Sequence, residues 1–199
     1  MGCLRNIIRA VVITLAIVGF MSLGGKDLVG GWFANWFNPS QDVMLERAKK
    51  VGDFSGINGE FEIEKAAGIM GYNAVIAEHK ASGQKMLVLD SGSKPVLTAE
   101  DIKAKDVDER ICKVIKKFKY QSISPSDISV ISRGTISSYG TSAPYVRIEA
   151  KIKKLPVGNV EGIVSVVKDS KGQDKLLVSG SEKGKYSQLI SDEFFRKIK

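Results

Sequence analysis

The feature that most constrains this chain is an uninterrupted apolar run of 14 residues, from Ala10 to Leu23. A run of this length is short for a helix that spans a bilayer and close to the apolar core of a signal peptide. A helix of about 19 residues counted from Ile7, with the side chain of Arg9 reaching the headgroups, would be about 28 Å long, against a hydrocarbon core of ~30 Å. The run therefore predicts either a retained membrane anchor or a cleaved leader.

The charges around the run predict its orientation. Arg5 and Arg9 precede it without an acidic neighbour, whereas Lys26 and Asp27 follow it and cancel. The positive-inside bias then places the N-terminus in the cytoplasm and the rest of the chain outside, as a single-pass protein. Small residues in "SLG", before Gly25, keep signal cleavage open as an alternative.

An aromatic stripe after the run favours the retained anchor. The pairs Trp32-Phe33 and Trp36-Phe37 are four residues apart, so they share one face of a helix. Aromatic belts lie at the membrane–water boundary, and packing onto the folded domain is the alternative. The predicted membrane-interface residues are Arg5, Arg9, Trp32, Phe33, Trp36 and Phe37.

The domain organisation has three predicted parts. Residues 1–25 form the anchor or uncleaved signal segment, and residues 26–58 a juxtamembrane aromatic segment, a short helix and a linker. Residues 59–199 form an extracytoplasmic domain. Hydrophobic residues make up 43% of the chain and charged residues 26%, as is typical of a globular protein with a real core.

Alternating and turn-forming residues predict an antiparallel sheet. Val146, Ile148 and Ala150 alternate with charged residues, as in a half-buried strand. Hairpins are predicted around Ser82-Gly83 and Lys171-Gly172. The alternation from residue 61 to 64 favours a strand, although Glu, Lys and Ala there keep a helix open.

Two long helices are predicted beside the sheet. One runs from 98 to 119, with Thr98 and Asp101 resembling a capping box, and one closes the chain. Leu189, Ile190, Phe194 and Ile198 are expected on the inner side of the last helix. The predicted fold class is α+β: an N-terminal membrane helix, then an antiparallel sheet with packed helices.

Two stretches resemble one another, at residues 74–93 and 163–181. Val75 aligns with Val164 and Gly83-Gln84 with Gly172-Gln173, while Asp174 is an extra residue in the second stretch. This similarity predicts two related halves, each a β-hairpin followed by a helix. The convergence of two ordinary hairpins is the alternative.

No catalytic, cofactor-binding or metal-binding residues are predicted. His79 is the single histidine and is expected on the surface, and Cys112 is expected to be a small buried residue. The serine–lysine spacing of some hydrolases occurs at 82–85, 91–94 and 165–168, which is about as often as chance predicts. Of these serines, only Ser91 is expected at the end of a secondary-structure element. An envelope hydrolase using a serine–lysine pair is therefore an alternative function.

The basic charge suggests the partners. The chain carries a net charge of +8, and removal of residues 1–25 leaves +6. Lys151, Lys153 and Lys154 form a predicted patch for an anionic ligand. The expected partners are the lipid bilayer and either another envelope protein, at a sheet edge, or an anionic cell-wall polymer; the predicted compartment argues against nucleic acid.

Together these features predict a membrane-anchored extracytoplasmic binding or scaffolding protein of the bacterial cell envelope. A secreted binding protein, released by signal cleavage, is the alternative within the same class. The two differ in whether the mature chain begins near Gly25.

Overall fold

The computed structural model describes residues 41–57, 59–69, 72–93, 95–116, 128–151 and 159–199. The predicted anchor at 1–25 and the aromatic stripe at 32–37 lie outside these ranges. Within them, no helix has both the length and the apolar character needed to span a bilayer.

The described residues form seven strands and four helices. In chain order these are α1 (Gln41–Val51), β1 (Phe61–Ile69), β2 (Tyr72–His79), β3 (Lys85–Asp90), α2 (Ala99–Lys103), α3 (Val107–Lys116), β4 (Ile128–Ser138), β5 (Thr141–Lys151), β6 (Asn159–Lys168), β7 (Asp174–Glu182) and α4 (Gln188–Arg196).

The strands form one antiparallel sheet in the order β1-β2-β3-β7-β6-β5-β4. The centre of the sheet is the pairing of β3 with β7, in which Val88 lies opposite Leu177. The chain leaves this centre after β3 and enters again at the far edge as β4, with α2 and α3 between. The predicted α+β class with an antiparallel sheet is confirmed.

Helices cover both faces of the sheet, which makes three layers. The first face packs against α1 and α4 through a core that includes Val51, Val88, Leu177 and Phe194. The second face packs against α2 and α3 through a second core, which includes Leu87, Ile102, Ile111, Val146 and Val178. Because Val51 lies in the first core, α1 belongs to the folded unit.

The predicted strand features are confirmed. Val146, Ile148 and Ala150 are buried, at 0%, 3% and 8% exposure. Gly83 and Gly172 have φ angles of 69° and 74° in the two hairpin turns, a conformation that glycine adopts without strain. Residues 61–69 form β1, so the helix alternative there is wrong.

The single helix predicted from 98 to 119 is wrong, because the chain breaks between α2 and α3. Ala104 ends α2 in an extended conformation, with ψ at 147°. The guanidinium of Arg133, on β4, donates to the carbonyl oxygens of Ile102 and Ala104 at 2.8 Å each. These bonds satisfy carbonyls that a continuing helix would have paired. The capping box of Thr98 and Asp101 is confirmed.

The inner side of α4 differs from the prediction at one residue. Leu189 is 79% exposed, whereas Phe194 and Ile198 are fully buried, as expected. The inward stripe is Ser191, Phe194, Phe195 and Ile198, at i, i+3, i+4 and i+7. A buried serine occupies the position in the stripe that an apolar residue would be expected to fill.

The matched hairpin residues point to opposite faces of the sheet. Val75 lies in the core of the first face and Val164 in that of the second. Within each hairpin the matched residues still pair, since Val75 lies opposite Val88 and Val164 opposite Val178, so the extra residue Asp174 does not change the facing of one strand relative to its partner. The two hairpins therefore have the same internal pairing but present their matched residues to opposite faces of the sheet, and a relation between the two halves remains a prediction.

Candidate functional site

A buried lysine lies between two aspartates at one end of the central strands. The side chain of Lys175, at the start of β7, is 2% exposed. Its Nζ is 3.0 Å from Oδ2 of Asp90 and 3.2 Å from Oδ2 of Asp169, whose side chains are 10% and 11% exposed. These three residues are called the lysine cluster below.

Sheet register and turn geometry position the lysine cluster. Asp90, the last residue of β3, is directly opposite Lys175 in the β3–β7 pairing. Its Oδ1 accepts a hydrogen bond from the backbone N–H of Gly92 at 2.8 Å. The Oδ1 of Asp169 accepts two, from the N–H groups of Lys171 and Gln173, at 2.9 Å each. Each carboxylate thus holds a turn with one oxygen and faces the lysine with the other.

The electrostatics of the lysine cluster keep Asp169 ionised. Burial raises the pKa of Asp169, but the backbone hydrogen bonds from Gln173 and Lys171 and the contact with Lys175 outweigh it, so the net pKa is lowered. Burial, together with the charges of Asp169 and Asp90, raises the pKa of the nearby Tyr139. The Tyr139 hydroxyl therefore stays protonated, and it donates to the carbonyl oxygen of Val51 at 2.7 Å.

A second lysine between two acids lies on the same sheet but is more accessible to water. Lys85, at the start of β3, has its Nζ 2.7 Å from both Glu64 and Glu78. Its side chain is 13% exposed, and those of the glutamates are 34% and 31% exposed. Lys85 and Lys175 each lie between two carboxylates, and the two arrangements differ in burial. Lys85 is therefore an internal reference for Lys175.

Sequence reasoning did not single out Lys175. The signal was present, because a period of two along β7 places residue 175 on the same face as Leu177 and Ser179. Those two residues are fully buried, so a lysine in the same row must be buried as well. A buried lysine requires a partner, but only the pairing of β3 with β7 shows that Asp90 is that partner.

The predicted anionic-ligand patch is described in part. Lys151 is exposed at the end of β5 and makes no ion pair within the described residues, while Lys153 and Lys154 lie outside them. On the same strand, Glu149 forms an ion pair with Lys183 at 2.8 Å, so Lys183 already has an acidic partner. The patch remains a prediction, as do the membrane-interface residues Arg5, Arg9, Trp32, Phe33, Trp36 and Phe37.

The serine–lysine pairs do not form a reactive arrangement within the described residues. Ser91 is buried, at 6% exposure, and Lys94 lies outside the described residues. The hydroxyl of Ser165 donates to the carbonyl oxygen of Pro144 at 2.8 Å within the sheet. The Oγ of Ser82 lies 2.8 Å from Nδ1 of His79 in the exposed turn.

The remaining candidates for chemistry are a metal-binding cluster, His79 and Cys112. In the part of the chain that the structure describes, no group of three or more His, Cys, Asp or Glu residues could hold a metal ion. His79 and Cys112 are both partly exposed. Cys112 is therefore only partly buried, less than expected, because it lies at the side of the apolar face of α3.

The strand β4 forms one edge of the described sheet. Its 11 residues are mostly exposed, and Ile131 is 49% exposed at an irregularity between Val130 and Ser132. An edge strand presents backbone N–H and C=O groups to which an extended peptide can pair. The other edge of the described sheet is β1.

Comparison with known proteins gives no family. No protein-family model matches the chain, and no curated protein matches it either.

Proposed function

We propose that this chain is a membrane-anchored binding or scaffolding protein of the bacterial cell envelope. The observation that carries the proposal is the apolar run from Ala10 to Leu23, preceded by Arg5 and Arg9 and followed by the aromatic stripe. The sheet domain, with a core on each face, would then be held outside the membrane as a rigid unit.

The basic surface supports an anionic partner. The charge beyond residue 25 is +6, and Lys151 is exposed without an ion pair among the described residues. An anionic cell-wall polymer would meet such lysines in an extracytoplasmic compartment. We propose Lys151, Lys153 and Lys154 as its contact.

The edge strand supports a second kind of partner. An extended segment of another envelope protein would pair with β4 along its backbone, near the exposed Ile131. Thr135→Pro would remove a backbone N–H from this edge. It should weaken the binding of such a protein partner without changing the binding of the polymer.

The topology experiment uses the full chain with a C-terminal tag. The protein should sediment with membranes after carbonate extraction, and external protease should remove the tag from intact spheroplasts. Arg5→Glu together with Arg9→Glu should reduce the protease-accessible fraction, since it removes the positive-inside signal. An uncut chain that is freely soluble in the cytosol would overturn the proposal, and a mature chain beginning near Gly25 would select the secreted alternative.

The binding experiment compares two triple variants of equal charge. Full-length protein in detergent is sedimented with isolated cell walls that retain their anionic polymer, and with the same walls after its removal. Alanine at Lys151, Lys153 and Lys154 should weaken sedimentation at least tenfold, whereas alanine at the exposed Lys49, Lys50 and Lys80 should weaken it far less. Equal loss in both variants would show that the binding follows net charge and would reject the patch.

A further inference from the structure

We propose that Lys175 and Asp90 are joined in the mature protein by an amide bond between Nζ of the lysine and Cγ of the aspartate, formed within the folded chain. This modification is independent of the proposed function. It rests on the geometry of the lysine cluster: the amine and carboxyl groups are directly opposite one another on adjacent strands, with a Nζ–Oδ2 distance of 3.0 Å.

The second carboxylate supplies the proton transfer that the reaction needs. Asp169 lies 3.2 Å from the same Nζ, and two backbone N–H groups fix its other oxygen. It can therefore accept a proton from the lysine nitrogen without moving away from it. The geometry gives different roles to the two aspartates, because Asp90 is held by one backbone N–H and Asp169 by two.

The reaction balances without a co-reactant. A proton first moves from the ammonium group of Lys175 to the carboxylate of Asp90, which gives a neutral amine and a carboxylic acid. The nitrogen then attacks Cγ and forms the C–N bond. Asp169 takes a proton from the nitrogen and returns it to the departing hydroxyl, the C–O bond breaks, and water leaves. Asp169 ends as a carboxylate, as it began.

Burial favours the product. An ionised lysine and aspartate at this depth carry a desolvation cost, which an amide removes because both charges disappear. The released water also leaves a site in which the reacting side chains are 2% and 10% exposed, so the reverse hydrolysis lacks a water in place. In water, by contrast, an amine and a carboxylate are stable as separate ions.

The bond would lie at the centre of the sheet. It links the last residue of β3 to a residue at the start of β7, the pairing that connects β1–β3 with the remaining four strands. It would therefore prevent those two parts of the sheet from separating even when the chain unfolds. Lys85 likewise lies between two carboxylates, but its side chain and those of Glu64 and Glu78 are more accessible to water, so these groups should remain an ordinary pair of salt bridges.

The test is the intact mass of the full-length protein under denaturing conditions. The expected mass is lower than that of the processed sequence by one water molecule, and tandem mass spectrometry should find a branched peptide joining residues 175 and 90. Lys175→Arg and Asp90→Ala should each restore the full mass. Lys85→Arg, the matched control, should still show the loss of water.

The role of Asp169 is tested by its own variant. Asp169→Asn should slow bond formation about a hundredfold, since a positioned general base contributes about 10²–10⁴-fold. Freshly synthesised variant should then accumulate without the bond.

Three results would overturn the proposal. They are a full mass in the wild-type protein, a branched peptide between another pair of residues, and a loss of water that persists in Lys175→Arg, as a cyclised aspartate elsewhere would give. The wild-type mass decides the question even if a variant fails to fold.

Discussion

The Nε2 of Gln84 lies 3.0 Å from the Oγ of Ser191, a residue 107 positions further along the chain. The same nitrogen is 3.0 Å from Oγ of Ser179 and from the carbonyl oxygen of Ser187, and the Gln84 side-chain oxygen accepts from the N–H of Ser187 at 2.8 Å. One buried amide thus joins the first hairpin turn to β7 and to the beginning of α4.

Removal of this amide should destabilise the fold strongly. Gln84→Ala leaves the Ser187 N–H without the Gln84 oxygen and removes one of the partners of the Ser179 and Ser191 hydroxyls, so the free energy of unfolding should fall by about 3 kcal/mol. The sequence counterpart Gln173 is exposed, so Gln173→Ala should cost less than about 1 kcal/mol. Urea denaturation followed by circular dichroism measures both. Equal losses of unfolding free energy in the two variants would mean that the buried hydrogen bonds of Gln84 add nothing to the stability that the turn itself supplies.

The faces of α4 give a second pair of variants. The Phe194 ring is fully buried, and its centroid lies 5.2 Å from that of Phe61 and 6.3 Å from that of Phe54. Phe194→Ala should therefore lower the free energy of unfolding by about 4 kcal/mol. Leu189→Ala should change it by less than about 0.5 kcal/mol, because Leu189 is 79% exposed.

These two variants also test the corrected face of α4 in one denaturation experiment. A large loss of unfolding free energy in Leu189→Ala, with little change in Phe194→Ala, would mean that α4 buries the face that carries Leu189.

Local patterns predicted the sheet well, because alternation depends only on the chain's own geometry. The inward row of Val146, Ile148 and Ala150 and the glycine turns at Gly83 and Gly172 could all be predicted in this way. Each of these features needs only its neighbours in sequence.

The parts that could not be predicted depend on distant partners. Ser191 belongs to the inner stripe of α4 because Gln84 satisfies its hydroxyl, and α2 ends at Lys103 because Arg133 binds its last carbonyls. The lysine cluster likewise needs the pairing of β3 with β7, which brings Asp90 opposite Lys175. No periodicity within one segment contains this information.

The capping box of α2 should make stability depend on pH. The Asp101 carboxylate accepts from the N–H of Thr98 at 2.9 Å and from Arg110 at 2.6 Å. Burial raises the pKa of Asp101, but the bonds to Arg110 and Thr98 outweigh it, so the folded pKa is lower than the unfolded value of about 3.9. The stabilisation is then complete above that unfolded pKa and is lost as the pH falls through the lower, folded pKa.

Asp101→Asn should therefore cost about 1 kcal/mol at pH 7, and the difference from wild type should shrink below about pH 4. Unfolding by urea at several pH values measures it. Glu100→Gln, an exposed change in the same helical turn, should show a smaller cost. A difference that stays constant down to about pH 2 would show that the ionised carboxylate is not the source of the effect.

The close pairing of β6 with β7 depends on a glycine without a side chain. Gly162 lies opposite Gly180, and a Cβ at residue 162 would overlap the carbonyl oxygen of Ser179 and lie 2.9 Å from Cα of Gly180. Since these are backbone atoms in the interior of the sheet, neither can move aside without breaking the pairing. Gly162→Ala should lower the free energy of unfolding by about 3 kcal/mol and the melting temperature with it.

Gly59 supplies the control for that experiment. A Cβ there would meet nothing within 4 Å, and the residue is not in a left-handed conformation. Gly59→Ala should therefore raise the free energy of unfolding by about 0.5 kcal/mol, because it restricts the unfolded chain. Opposite shifts in melting temperature, measured by calorimetry, are expected for the two variants; a shift of the same sign and size in both would mean that β6 and β7 are not as close as the pairing of Gly162 with Gly180 requires.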